Sequence, residues 1–175
     1  ASVVAVGWSG YAMSLLHDGE LEELVRPSGQ YRQKTKKLRA LLALVDEVGS
    51  LPALLSTPGP ELRARLLATW GIGEETADAI VLYASHQPTF VIDAYTQRIF
   101  GRLGLGPATA AYHPWQQFFV ERLPEDRDLW ARYHALIVLH AKHLCRKRAP
   151  KCGECAFASR CLYSRAIADG TVEGL

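Results

Sequence analysis

All four cysteines of the chain fall within one stretch of 17 residues, CRKRAPKCGECAFASRC, as Cys145, Cys152, Cys155 and Cys161. The spacing is C-x6-C-x2-C-x5-C. Disulfides closed inside so short a loop would be strained, and a reducing compartment would not favour them. Structural zinc prefers two C-x2-C knuckles, and only one is present here. Four thiolates from one loop can instead hold a 4Fe–4S cube. Spacing alone leaves an iron–sulfur cluster, a zinc site and unligated thiols open. His140 and His143 precede the loop, but beside four cysteines they read as core or surface histidines. Arg146, Lys147, Arg148, Lys151 and Arg160 surround the thiols with positive charge.

A second stretch with chemical potential is ELRARLLATWGIGEETADAIVLYA, two helical segments joined by Gly71-Ile72-Gly73. At its plainest this is a tight helix–helix turn, because glycine reaches positive φ without strain. It is not a dinucleotide fingerprint, since the third glycine and the preceding strand are missing, and no Gly-Lys-Ser/Thr follows to make a P-loop. The sharper reading is a helix–hairpin–helix. Gly71 and Gly73 let a phosphate approach the backbone, Ile72 plugs into the core, and the amides opening the next helix at Glu74 face the anion. A third candidate, Asp93 in PTFVIDAYTQRIFGRLG, follows an apolar run and precedes a helix. Aspartate in that place is a good N-cap, worth about 1 kcal/mol.

The elements that must position these residues are helices. Alternating, β-branched patterning is almost absent, and helical periodicity recurs. The pattern predicts helices over 31–48 (ended by Gly49), 61–69 after Pro60, 74–85, 94–103, 114–122, 126–143 and 159–168. In the third, Ala77, Ile80, Val81 and Ala84 share a face. Breakers such as TPGP, HQP, GLGP, YHP and LPED separate them. The fold class is all-α.

The 175 residues suit one domain or two small ones, and 49% apolar content supplies a core. Net charge is only +2, so total charge does not point to nucleic acid. Its distribution says more. Arg32, Lys34, Lys36, Lys37 and Arg39 form one basic run, after the acidic Asp18, Glu20, Glu22 and Glu23, and the cysteine loop forms another. One basic run is ordinarily a solvated face, whereas two in a small protein favour a polyanionic partner. No apolar stretch is long enough for a transmembrane helix, and the opening ASVVAVGWSGYAMSLL lacks the basic head of a signal peptide. A cytoplasmic, nucleoid-associated protein is expected, with no membrane partner.

HALIVLHAKHLCRKRAPKCGECAFASRC resembles the cluster loop of the endonuclease III family of helix–hairpin–helix DNA glycosylases, and the glycine hairpin resembles that family's hairpin. Together with the aspartate 20 residues after Gly73, the resemblance spans about residues 25 to 161. It implies a 4Fe–4S cluster on Cys145, Cys152, Cys155 and Cys161. The basic loop between these ligands, with Arg146, Lys147, Arg148 and Lys151, is then set against DNA phosphates. It implies phosphate binding at Gly71, Ile72, Gly73 and Glu74, with a monovalent cation bridging hairpin carbonyls to phosphate. Asp93 matches the family's catalytic aspartate, whose carboxylate stabilises positive charge on the sugar ring and orients or deprotonates water.

Two departures matter. Trp70 stands where the family usually has proline. Glu75 stands where bifunctional members have the lysine that forms a Schiff base, and no lysine occurs between Lys37 and Lys142. The expected enzyme is therefore a monofunctional glycosylase that hydrolyses the bond to a damaged, flipped-out base. GIGEETADAIVLYA and VIDAYTQRIF look closest to the branch acting on alkylated purines. Glu75 and Tyr95 are then pocket candidates, beside bland readings as a first-turn acid and an ordinary helix tyrosine.

The expected architecture is a barrel-like helical domain over 1–88 carrying the hairpin and a cluster domain over 89–175 carrying Asp93. A cleft flanked by the two would bind double-stranded DNA, with the protein acting as a monomer. The resemblance also implies a preceding helix pair with a glutamine wedge for the hole left by a flipped base. Gln30, Gln33 and Gln97 sit in other contexts, so the barrel is expected to be N-terminally incomplete. The competing functions are an oxidised-pyrimidine glycosylase with lyase activity and a non-catalytic damage-binding module.

Overall fold

The computed structural model describes residues 15–171. The opening stretch read above against a signal peptide lies outside the described residues up to residue 14. Among the described residues every regular element is helical, and the chain divides into two compact units after Ser85.

The first unit contains α1 (Asp18–Val25), α2 (Tyr31–Val48), α3 (Leu51–Leu55), α4 (Gly59–Ala68) and α5 (Glu74–Ala79). The helix expected over 31–48 is α2, and it stops where glycine can turn left-handed. Gly49 has φ +99° and returns its amide to the carbonyls of Val45 and Asp46. Two helices were not anticipated. The acidic run at 18–23 is α1, entered through a capping box between His17 and Glu20, with Leu21 and Val25 buried beneath its charges. The short α3 opens with Ser50 accepting from the Ala53 amide at 3.2 Å and Pro52 in its first turn. The helix expected over 74–85 is α5 followed by one π-helical turn at Ile80–Ala84. The core joins Leu44, Val45, Leu54, Leu62, Leu66, Ile72, Ala77 and Val81.

The second unit contains α6 (Ala94–Leu103), α7 (Tyr112–Val120), α8 (Arg127–His143) and α9 (Leu162–Ala168). Asp126 caps α8 by accepting from the Leu129 amide at 2.9 Å. The helix expected to open at Pro114 begins two residues earlier, at Tyr112. Proline is tolerated there because first-turn amides have no intrahelical acceptor. The last expected helix divides into a 3-10 turn, Ala158–Arg160, and α9. An aromatic cluster fills the unit. Phe90 stacks on Phe119 at 4.3 Å between centroids, Phe100 meets Phe119 edge-on at 4.7 Å, and Trp130 and Tyr133 of α8 close the group around Phe90. Gly104, at φ +78°, ends α6, and a Cβ there would sit 2.2 Å from Leu162 Cδ1. A side chain at 104 would be strained at that φ and would displace the exposed Leu162 side chain of α9.

Candidate active site and cluster loop

The glycine hairpin forms in the first unit as expected. Gly71 takes φ +77°, and Ile72, 8% exposed, inserts into the core while its amide donates to the Thr69 carbonyl at 3.1 Å. Gly73 caps α5, and Glu74 and Glu75 are exposed in its first turn. Trp70 is exposed and the turn is intact despite the missing proline. A Cβ on Gly71 would lie 2.8 Å from Lys37 Cγ, so the aliphatic stem of Lys37, from α2, rests on the hairpin backbone. Beneath the hairpin, Arg63 of α4 holds Asp78 of α5 through two bonds, Nε to Oδ1 at 2.7 Å and Nη2 to Oδ2 at 3.1 Å. Asp78 is fully buried, so this fork ties the hairpin's two arms together. Arg63 also stands 3.9 Å from Glu74.

Asp93 is the N-cap of α6 and is 9% exposed. Its Oδ1 accepts from the Thr96 amide at 2.7 Å and the Thr96 hydroxyl at 2.8 Å. Its Oδ2 faces Nε2 of His134, on α8, at 3.4 Å, between a hydrogen bond and an ion pair in length. Burial alone would raise the pKa of this carboxyl, but His134 and the two Thr96 donors outweigh it and hold it below the ordinary carboxylate value. The group is an ionised carboxylate near neutral pH. Tyr95 is half-buried, with the Arg98 guanidinium 5.1 Å above its ring.

The four cysteines line one small pocket of about 30 Å³ together with Arg102, Leu144, Lys151, Tyr163 and Ser164. The helix that begins at Asp93 braces this loop. Arg98 Nε donates to the Cys145 carbonyl at 3.0 Å. Arg102 Nη1 donates to Cys145 Sγ at 3.3 Å and to the Arg146 carbonyl at 2.8 Å, and Nη2 donates to the Lys147 carbonyl at 3.2 Å. The Cys161 thiol donates to the Arg102 carbonyl at 3.2 Å, and Cys155 Sγ lies 3.6 Å from His140 Nε2. Burial, helped by Cys161 and Cys145, raises the Cys152 thiol pKa. Among the described residues no group of three or more His, Cys, Asp or Glu side chains is spaced around a single metal ion. Four sulfurs facing one pocket suit a larger cationic body such as an iron–sulfur cube. The five basic residues between the cysteines, Arg146, Lys147, Arg148, Lys151 and Arg160, are exposed. Lys151 pairs with Glu154 at 3.2 Å and Arg146 donates to the Ala149 carbonyl at 3.0 Å.

Sequence reasoning missed His134, Thr96, Arg98 and Arg102. Thr96 and the two arginines carried a readable signal. A threonine three residues after a capping aspartate is placed to donate back to it, and Arg98 and Arg102 lie one helical turn apart. His134 carried none, because it lies 41 residues from Asp93 and reaches it only when α6 packs on α8.

No family model matches the chain. A protein of Methanocaldococcus jannaschii that carries the name "Putative DNA repair glycosylase" is 41% identical over 148 residues, covering 83% of this chain and 67% of that protein. The endonuclease III of Thermotoga maritima is 27% identical over 154 residues, covering 87% of this chain and 68% of that protein. The chain thus spans about two thirds of the length of these relatives. Among solved structures, an endonuclease III–DNA complex matches with a TM-score of 0.76 over 92% of this chain and 72% of that one, at 22% identity, a likeness of fold. An H. pylori 3-methyladenine DNA glycosylase bound to 1,N6-ethenoadenine matches with a TM-score of 0.67 over 76% of this chain and 66% of that one, at 29% identity. On the 41% identity to the Methanocaldococcus protein, over two thirds of its length, the chain belongs to the endonuclease III family of DNA glycosylases.

Proposed function

We propose that this protein is a monofunctional DNA glycosylase of base-excision repair, acting on alkylated purines in duplex DNA. The observation that carries the reading is Asp93, a buried carboxylate held ionised by Thr96 and His134. As the bond between C1′ and the base nitrogen breaks, its electron pair leaves with the base and positive charge grows on the sugar. Asp93 stabilises that charge and orients a water, whose oxygen bonds C1′ while its proton passes to the carboxylate or the departing base. A cationic alkylated purine leaves as a neutral base and needs little acid catalysis. The resemblance to the H. pylori 3-methyladenine glycosylase supports this substrate class.

Glu75, at the second position of α5, has no amine with which to form an imine, which supports hydrolysis over lyase chemistry. The hairpin amides and the basic cluster loop serve as phosphate contacts, and a monovalent cation at the hairpin carbonyls assists the first of these. Cys145, Cys152, Cys155 and Cys161 would hold a 4Fe–4S cluster, which when bound fixes the loop's shape. Borohydride reduction on duplex DNA carrying an abasic site tests the hydrolytic assignment. The expected result is no covalent adduct. An adduct mapping to Lys37, the lysine brought against the hairpin, would contradict it and assign lyase chemistry.

A further inference from the structure

Asp93 and His134 belong to the same compact unit but to different helices, α6 and α8, which pack directly on one another. The two side chains are 9% and 12% exposed, with Nε2 of His134 3.4 Å from Oδ2 of Asp93. Thr96 already holds Oδ1 through its amide and hydroxyl. A single anchored oxygen leaves a carboxyl free to swing about its terminal torsion. Contacts to both oxygens, from two helices, leave it one orientation.

We propose that His134 is a positioning residue for the glycosylase reaction, fixing Oδ2 of Asp93 so that the carboxylate is presented in one orientation. This deepens the proposed function and rests on it. An ionised carboxylate offers about four acceptor sites. Thr96 takes Oδ1 and His134 takes one site on Oδ2, so acceptor capacity remains for water.

The groups acting on the Asp93 carboxylate are His134 from α8 and Thr96 from its own helix. The other charged residues of α6 are engaged elsewhere. Arg98 bonds the carbonyls of Ala141 and Cys145, and Arg102 bonds those of Arg146 and Lys147. On α8, Asp128 pairs with Arg127, and Arg132 donates to the Asp128 carbonyl at 3.3 Å. His134 is the group outside α6 that faces the Asp93 carboxylate, with Nε2 3.4 Å from Oδ2.

Two variants and two readouts test the assignment. His134→Leu removes the donor, and His134→Gln restores an N–H at similar reach without titrating. The Asp93 carboxyl pKa is read by 13C NMR on the whole protein, and the pH profile of single-turnover base release is read on lesion-bearing duplex. In His134→Leu the Asp93 pKa should rise, the acid limb of the profile should move up by about one pH unit, and turnover near neutrality should fall about tenfold. His134→Gln should recover most of both. A folded His134→Leu variant with the Asp93 pKa and acid limb of the parent overturns the proposal. Parallel Asp93→Asn measurements separate the two failures. If that variant keeps full activity, the catalytic reading itself falls, whereas the NMR readout judges the pairing whatever the reaction.

Discussion

Asp78 and Asp93 are both buried aspartates, yet their surroundings assign them different work. Asp78 is wholly enclosed and both its oxygens meet one guanidinium, that of Arg63, in the fork geometry that arginine favours. Removing the carboxylate breaks both bonds of the fork and takes from Arg63 its short-range partner, with Glu74 remaining at 3.9 Å. Asp78→Ala should therefore destabilise the protein by about 3 kcal/mol, the low end for a broken buried pair because Arg63 keeps partial solvent access. A urea titration followed by circular dichroism reads the change, and an unshifted midpoint would contradict the structural role. Asp93 has one oxygen on its own helix and one on another, which is the arrangement of a held, chemically available group. Its place was legible in the sequence, because an aspartate between an apolar run and a helical pattern is a cap whatever else it does. Its partner His134 was not, since a histidine in the middle of a helical run looks the same whether or not a carboxylate waits opposite.

At the scale of elements, α6 is the member that connects the candidate chemistry to the cysteine loop. Asp93 stands at its N-terminus, and Arg98 and Arg102 reach from its later turns to the loop's carbonyls and to Cys145 Sγ. The loop is therefore framed by α6 as well as by its own turns. Protein purified without oxygen should be brown, with broad absorbance near ~400 nm and four irons per chain as the cube requires. Cys152→Ser should lose iron and melt at lower temperature. One equivalent of zinc and no iron in the parent would contradict the cluster assignment. The long helices α2 and α8 were readable almost to the residue, because Gly49 and Asp126 are strong stop and start signals. The short α1 and α3 were not. A helix of eight residues whose surface is mostly acidic resembles a charged loop, and one of five is too brief to show a period. The π turn after α5 was equally hidden, since one extra residue per turn over five positions barely disturbs the apolar spacing.

For the whole molecule, the absence of strand alternation was enough to give an all-helical fold, and the structure and its relatives agree with that class. Among the described residues no helix is long and apolar enough to cross a membrane. The hairpin lies in the first compact unit, while Asp93 and the four cysteines lie in the second. The lesion was not visible, because a pocket that selects a base is made by side chains from distant parts of the chain and leaves no spacing pattern. The most direct test of the account is base release from duplexes carrying 3-methyladenine or 1,N6-ethenoadenine, comparing the parent with Asp93→Asn under single-turnover conditions. The amide keeps the cap's shape but not its charge, so release should fall by at least about 100-fold while DNA binding and the melting temperature change little. Undiminished release by Asp93→Asn on a duplex the parent cleaves would contradict the account.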